Sequence, residues 1–167
     1  MRRPGSVVYN AIVAIDYFTK WVEAEPLSTI TEKRATEFLR KNIVCRFGIP
    51  RAIITDNGKQ FDSKGFRKLC EDLQIALRFA TPAHPKSNGQ VEATNKTIKA
   101  NLKARLGSSK GLWVEELPEV LWAHRTTYKD STGEIPFSLA YGYEAVIPAE
   151  IGVTSHRVQH YESKQNE

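Results

Sequence analysis

Cysteine, methionine and long apolar runs are scarce in this chain. Its 167 residues include two cysteines, Cys45 and Cys70, and one methionine. There is no Cys-x-x-Cys pair, which argues against a zinc site, and two isolated thiols fit a reduced intracellular protein better than a disulfide framework. His156 and His160 are spaced like a ligand pair, but no cysteine pair accompanies them, so they read as polar residues of an exposed tail. No apolar stretch approaches the roughly 18 residues of a membrane span, so no membrane partner is expected. Asn95-Lys96-Thr97 has the form of a glycosylation acceptor, but without a secretory signal it is read as coincidence. Internal repeats and low-complexity tracts are also absent.

What is there describes a globular domain. Hydrophobic residues make up 41% and charged residues 26%, and the net charge is +5 with a pI of about 9.2. That basic excess is compatible with a nucleic-acid partner without establishing one. Residues 1–6 are polar and turn-like. Residues 7–15 and 21–27 suit two strands joined by Tyr17-Phe18-Thr19-Lys20 as an antiparallel hairpin. Thr29 and Glu32 have capping-box spacing ahead of a helix that Gly48 and Pro50 stop. Residues 52–55 form a third strand, Asp62 or Ser63 caps a helix, and residues 75–79 form a fourth strand. A Pro/Ser/Asn/Gly loop over 81–89 leads into a long helix over 89–106. A second helix over 112–128 contains Pro118, which should kink or split it. Trp113, Leu121 and Trp122 suit a core or a partner surface, with the core preferred. The order ββαβαβαα gives an α/β domain with a mixed sheet. Residues 1–151 form the domain, and 152–167 begin a linker.

Two carboxylates carry the chemistry. Asp56 follows the apolar third strand within Ile53-Ile54-Thr55-Asp56-Asn57-Gly58-Lys59-Gln60-Phe61, at the strand end where α/β sheets collect ligands. Glu92 opens the long helix within His84-Pro85-Lys86-Ser87-Asn88-Gly89-Gln90-Val91-Glu92-Ala93-Thr94-Asn95-Lys96, with 35 residues between the two acids. Helical period puts Lys96, Lys99 and Lys103 on the same line as Glu92, beside an apolar stripe of Val91, Ile98, Leu102 and Leu106. Taken singly, Asp-Asn-Gly is a turn and Glu92 with Lys96 a solvated i,i+4 pair. Taken together, they suit a Mg²⁺ or Mn²⁺ phosphoryl-transfer site with lysines following a nucleic-acid backbone.

At these residues the chain resembles the catalytic core of retroviral-type integrases, specifically those of plant gypsy-type LTR retrotransposons. The likeness also includes Ala14-Ile15-Asp16-Tyr17-Phe18-Thr19-Lys20-Trp21-Val22-Glu23-Ala24, Phe47-Gly48-Ile49-Pro50 and Leu121-Trp122-Ala123-His124-Arg125-Thr126-Thr127. It continues through Ser131-Thr132-Gly133-Glu134-Ile135-Pro136-Phe137 and Tyr141-Gly142. The resemblance implies a ribonuclease H-like fold with an Asp, Asp, Glu triad binding two divalent ions. Asp56 stands as the second acid and Glu92 as the third. It makes residues 82–89 the mobile active-site loop, sets Asn88 where element DNA is contacted, and gives Lys96 and Lys99 the task of holding the DNA end.

Asp16 lies at a tempting distance, with 39 residues between it and Asp56, yet its block resembles the end of the family's second strand. Asp16 is therefore expected to be a turn residue. The first catalytic strand has no counterpart, so the sheet is expected to lack its central first strand and the chain to be a fragment with little activity alone. The implied function is metal-dependent 3′-end processing and DNA strand transfer, with element ends and target DNA as partners. No small-molecule substrate is expected. The intact protein would be a homo-oligomer acting in the nucleus after a cytoplasmic particle stage. A non-catalytic nucleic-acid-binding remnant or domesticated fragment, and another ribonuclease H-like nuclease, remain open alternatives.

Overall fold

Alternating side chains along two short strands set the layers of this fold. The computed structural model describes residues 10–80, 86–106 and 113–146. Strand β1 (Asn10–Ile15) pairs antiparallel with β2 (Val22–Leu27), placing Ile12 opposite Glu25 and Ile15 opposite Val22. Successive residues point to opposite faces. Ile12, Ala14 and Leu27 join one apolar cluster, whereas Val13, Ile15, Val22 and Ala24 join another. The first cluster is completed by Ala35 and Phe38 of α1 (Glu32–Phe38) and by Phe66, Leu69 and Cys70 of α3 (Lys64–Asp72). The second takes Ile98 and Leu102 from α4 (Lys86–Leu106) and Leu117, Val120 and Leu121 from α5 (Trp113–Thr126). The hairpin thus has helices on both faces, the three-layer solution for a sheet that is apolar on each side.

Strand β3 (Ala52–Thr55) runs parallel to β4 (Ala76–Phe79), with α3 as the crossover and Ile53 opposite Leu77. The α/β class matches the expectation. The described strands form two separate pairs, one antiparallel and one parallel. Among the described residues, β1 and β3 each have a ladder partner on one side only. Helix α4 touches both of these strands.

Local details refine the sequence reading. The N-cap of α1 is Thr31, whose hydroxyl accepts the Arg34 N–H at 3.4 Å, rather than Thr29. Thr31 is extended and immediately precedes the first helical residue, the geometry that a cap requires. The helix continues through a π-helical stretch, Leu39–Val44, into the short α2 (Cys45–Phe47), and Gly48 stops it at φ +88°. Ser63, not Asp62, caps α3 by accepting the Phe66 N–H at 3.3 Å. Helix α4 begins at Lys86, so the last four residues of the expected loop, 86–89, are helical. Helix α5 runs unbroken through the exposed Pro118. Leu121 is buried and Trp113 packs on the second cluster. The Trp122 ring lies 5.8 Å from that of Phe137, in the short α6 (Pro136–Tyr141). The core reading therefore holds for Leu121 and, at the edge of the cluster, for Trp113, whereas Trp122 is half-buried and outside both clusters. The N-terminal turn, loop residues 81–85, His156, His160 and the 152–167 linker lie outside the described residues. Among the described residues, no helix is long and apolar enough to cross a membrane.

Candidate active site

Asp56 leaves the C-terminal end of β3 and enters a tight turn. Its Oδ1 accepts the N–H of Gly58 at 3.0 Å, the side-chain-to-backbone bond that makes Asp a turn former. The Gly58 carbonyl accepts the N–H groups of Phe61 (2.9 Å) and Asp62 (3.1 Å). Phe61 packs on the first core cluster, with its ring 5.4 Å from that of Phe66. The exposed Asp56 carboxylate is therefore carried by a turn that is hydrogen-bonded internally and anchored apolarly at its far end.

Glu92 sits in the second turn of α4, exposed, and Lys96, Lys99 and Lys103 are exposed along the same helix. Ile98 and Leu102 of that helix are buried at 5% and 9%, so the lysine line and the core stripe separate as their spacing requires. Asn88 lies in the first turn of α4, near its N-terminus, where backbone N–H groups favour anions. Because α4 packs against β3, the strand leading to Asp56 and the helix carrying Glu92 are neighbours.

Two nearby oxygens lack hydrogen-bond partners despite being buried: Oγ1 of Thr55, one residue before Asp56, and Oε1 of Gln90, two residues before Glu92. Among the described residues, no group of three or more His, Cys, Asp or Glu side chains is gathered to hold a metal ion. The donors present are carboxylate, hydroxyl and amide oxygens. This hard set suits Mg²⁺ or Mn²⁺, for which one or two carboxylates complemented by water and phosphate oxygens are sufficient ligands.

Asp16 is occupied otherwise. Its Oδ2 accepts both the backbone N–H (2.8 Å) and the hydroxyl (2.7 Å) of Thr19, and its backbone closes the hairpin with Trp21 and Lys20. It is the turn residue that its block suggests.

Sequence reasoning missed a second polar centre. Glu23 is 3% exposed; its Oε1 accepts the Trp21 indole N–H at 2.8 Å, and its Oε2 lies 2.8 Å from Arg46 and 3.1 Å from Arg125. Arg125 also donates twice to the Val22 carbonyl and lays its guanidinium 4.5 Å from the Trp21 ring. Burial pulls the Arg125 pKa down and Glu23 raises it. The rings of Phe47, Phe137 and Tyr141 surround Trp21 at 6.0, 6.1 and 5.2 Å. The only sequence signal for this centre was that its members other than Arg46 fall within blocks of the family likeness. His124, on α5, is 7% exposed with Nδ1 unpartnered; burial first, then Lys129 and Arg125, lower its pKa to about 4.

These features match what is known of other chains. The family model described as the integrase core domain matches residues 2–85, 84 of the 167. The chain belongs to the integrase core domain family. It is 34% identical over 141 residues to the Gag-Pol polyprotein of avian reticuloendotheliosis virus, covering 84% of this chain and 12% of that protein. To a transposon Tf2-3 polyprotein of Schizosaccharomyces pombe it is 27% identical over 151 residues, covering 89% and 11%. The chain spans between 7% and 24% of the first three curated relatives. Its fold resembles the HTLV-2 integrase catalytic core domain, solved in complex with magnesium, with a TM-score of 0.65 and 23% identity, covering 77% of this chain and 82% of that one. A simian T-cell lymphotropic virus intasome, solved with the PP2A regulatory subunit B56 gamma, gives 0.70 and 25%, covering 82% and 50%. The fold is thus the ribonuclease H-like α/β fold of integrase cores.

Proposed function

We propose that this chain is the catalytic-core portion of a plant gypsy-type LTR retrotransposon integrase, performing metal-dependent end processing and strand transfer on DNA. The observation that carries this reading is the placement of Asp56 at the end of β3 and of Glu92 on α4, the helix packed against that strand, in a chain of the integrase core family. Asp56 and Glu92 would hold the cation. When bound, such ions activate the attacking oxygen and stabilise the leaving one. The protein's own task is positioning. The turn after β3 fixes one carboxylate, α4 presents the other, and Lys96, Lys99 and Lys103 neutralise DNA phosphates along the same helix. Asn88 contacts the element end near the helix N-terminus.

A third carboxylate belongs on a strand seated between β1 and β3. In support, both strands have an unoccupied ladder side among the described residues, α4 touches both, and the Asp16 carboxylate is committed to its own turn. With Asp56 and Glu92 alone, the chain has weak strand-transfer activity or none. In the intact protein the core works as a homo-oligomer in the nucleus. The HTLV-2 core is described in dimeric and trimeric forms, which supports the first part of that reading.

One observation favours a second reading, a non-catalytic DNA-binding remnant: the lack of a three-carboxylate cluster among the described residues. The test is strand transfer by the recombinant chain with Mg²⁺ or Mn²⁺, alone and with an added strand peptide carrying an aspartate, alongside DNA binding. Activity rescued by the peptide and abolished by Asp56→Asn supports the catalytic reading. DNA binding without rescue supports the remnant.

A further inference from the structure

We propose that Gly58 is a positioning residue for the Asp56 carboxylate, holding it in the orientation that accepts a divalent cation. This rests on the reading of Asp56 as a metal ligand. The Gly58 N–H binds Oδ1 of Asp56 at 3.0 Å, and the Gly58 backbone passes so close that a methyl group there would lie 2.8 Å from that same oxygen. It would lie closer still to the side-chain amide of Gln60. Carbon and oxygen do not approach to that distance without displacement, so a Cβ at this position pushes the carboxylate off its N–H. The Gly58 φ is not among the positive values of the backbone, so the requirement is for space and not for a left-handed conformation. The Gly58 carbonyl is held by the Phe61 and Asp62 N–H groups, and the half-buried Phe61 packs against the core. The turn therefore cannot relieve the clash by swinging its backbone outward. Asp56 is the movable partner.

Two obstructions sit at Gly58, and they can be separated. Gln60 ends in a flexible amide, which Gln60→Ala removes; the Asp56 oxygen is the functional contact. The experiment compares Gly58→Ala, Gln60→Ala and the double variant in the full chain by two readouts. The first is Mn²⁺ affinity, measured by paramagnetic relaxation, with the thermal midpoint followed in parallel. The second needs no metal: the NMR shift of the residue-58 amide proton on introducing Asp56→Ala, in the wild-type and Gly58→Ala backgrounds. The expected result is a loss of Mn²⁺ affinity of roughly 10- to 100-fold in Gly58→Ala, as when a ligand loses its orienting hydrogen bond. The double variant shows the same loss, the thermal midpoint is nearly unchanged, and the amide of residue 58 no longer responds to Asp56→Ala. Retention of that amide response in Gly58→Ala, or recovery of affinity in the double variant, overturns the proposal. A wild-type chain whose Mn²⁺ affinity equals that of Asp56→Ala overturns the metal-ligand reading instead, and the amide response still decides whether Gly58 sets the carboxylate.

Discussion

Glu23 has 4% of its side chain exposed and faces two guanidinium groups, of which Arg125 is 15% exposed and Arg46 42%. Removing one member of a buried ion pair leaves the other charged without compensation, which costs about 3–5 kcal/mol, whereas a half-exposed pair contributes about 0–1 kcal/mol. Glu23→Ala and Arg125→Ala should therefore both lower the urea midpoint severely, and Arg46→Ala only slightly. His124 gives a pH signature. Its folded pKa of about 4 lies below its ordinary 6.5. Between those values the unfolded chain takes up a proton that the folded chain refuses. The stabilisation is complete above pH 6.5 and is lost as pH falls towards 4, by up to about 3 kcal/mol. His124→Gln should flatten that part of the stability-versus-pH curve, and an unchanged slope would show that another group is responsible.

Among the elements, α4 was the most legible in the sequence, because the apolar stripe at Ile98 and Leu102 and the polar line through Glu92 and Lys103 repeat at helical period. Replacing Lys96 and Lys99 by Gln should weaken binding to all DNA sequences alike. The slope of log affinity against log salt should fall by about 0.9 for each phosphate no longer neutralised. Titrations at several salt concentrations would measure it. Strands β1 and β2 were legible from their apolar content, and β3 from its position before the Asp-Asn-Gly turn. The start of α4 was misjudged because Ser87, Asn88 and Gly89 are turn formers, and packing of the helix behind them overrode that propensity. Pro118 suggested a break that α5 does not show. The π-helical stretch had no sequence signal. The Glu23 centre was hidden because its partner Arg125 lies 102 residues further along, and a glutamate in a short strand looks like a solvent-facing residue. The two acids were legible because turn and helix chemistry are local.

At the scale of the whole molecule, the side of β3 that has no ladder partner among the described residues is a hazard. Its sequence is Ala-Ile-Ile-Thr, and Ile54 is 42% exposed. An apolar strand with unpaired N–H and C=O groups is a template for other extended chains. Ile54→Lys should reduce light scattering of the concentrated chain with little change in thermal midpoint, since a charge on an edge repels a second copy. If scattering is unchanged, association runs through another surface.

The Trp21-centred cluster draws together Glu23, Phe47, Arg125, Phe137 and Tyr141, and each of these falls in a different block of those by which the chain resembles its relatives. Neither Asp56 nor Glu92 belongs to it. Much of the recognisable signature is thus a hinge pin and not a blade: it records that the strands and helices still close on one another. A copy that had lost either acid would keep this signature, and a census of such elements by likeness would count spent copies together with working ones.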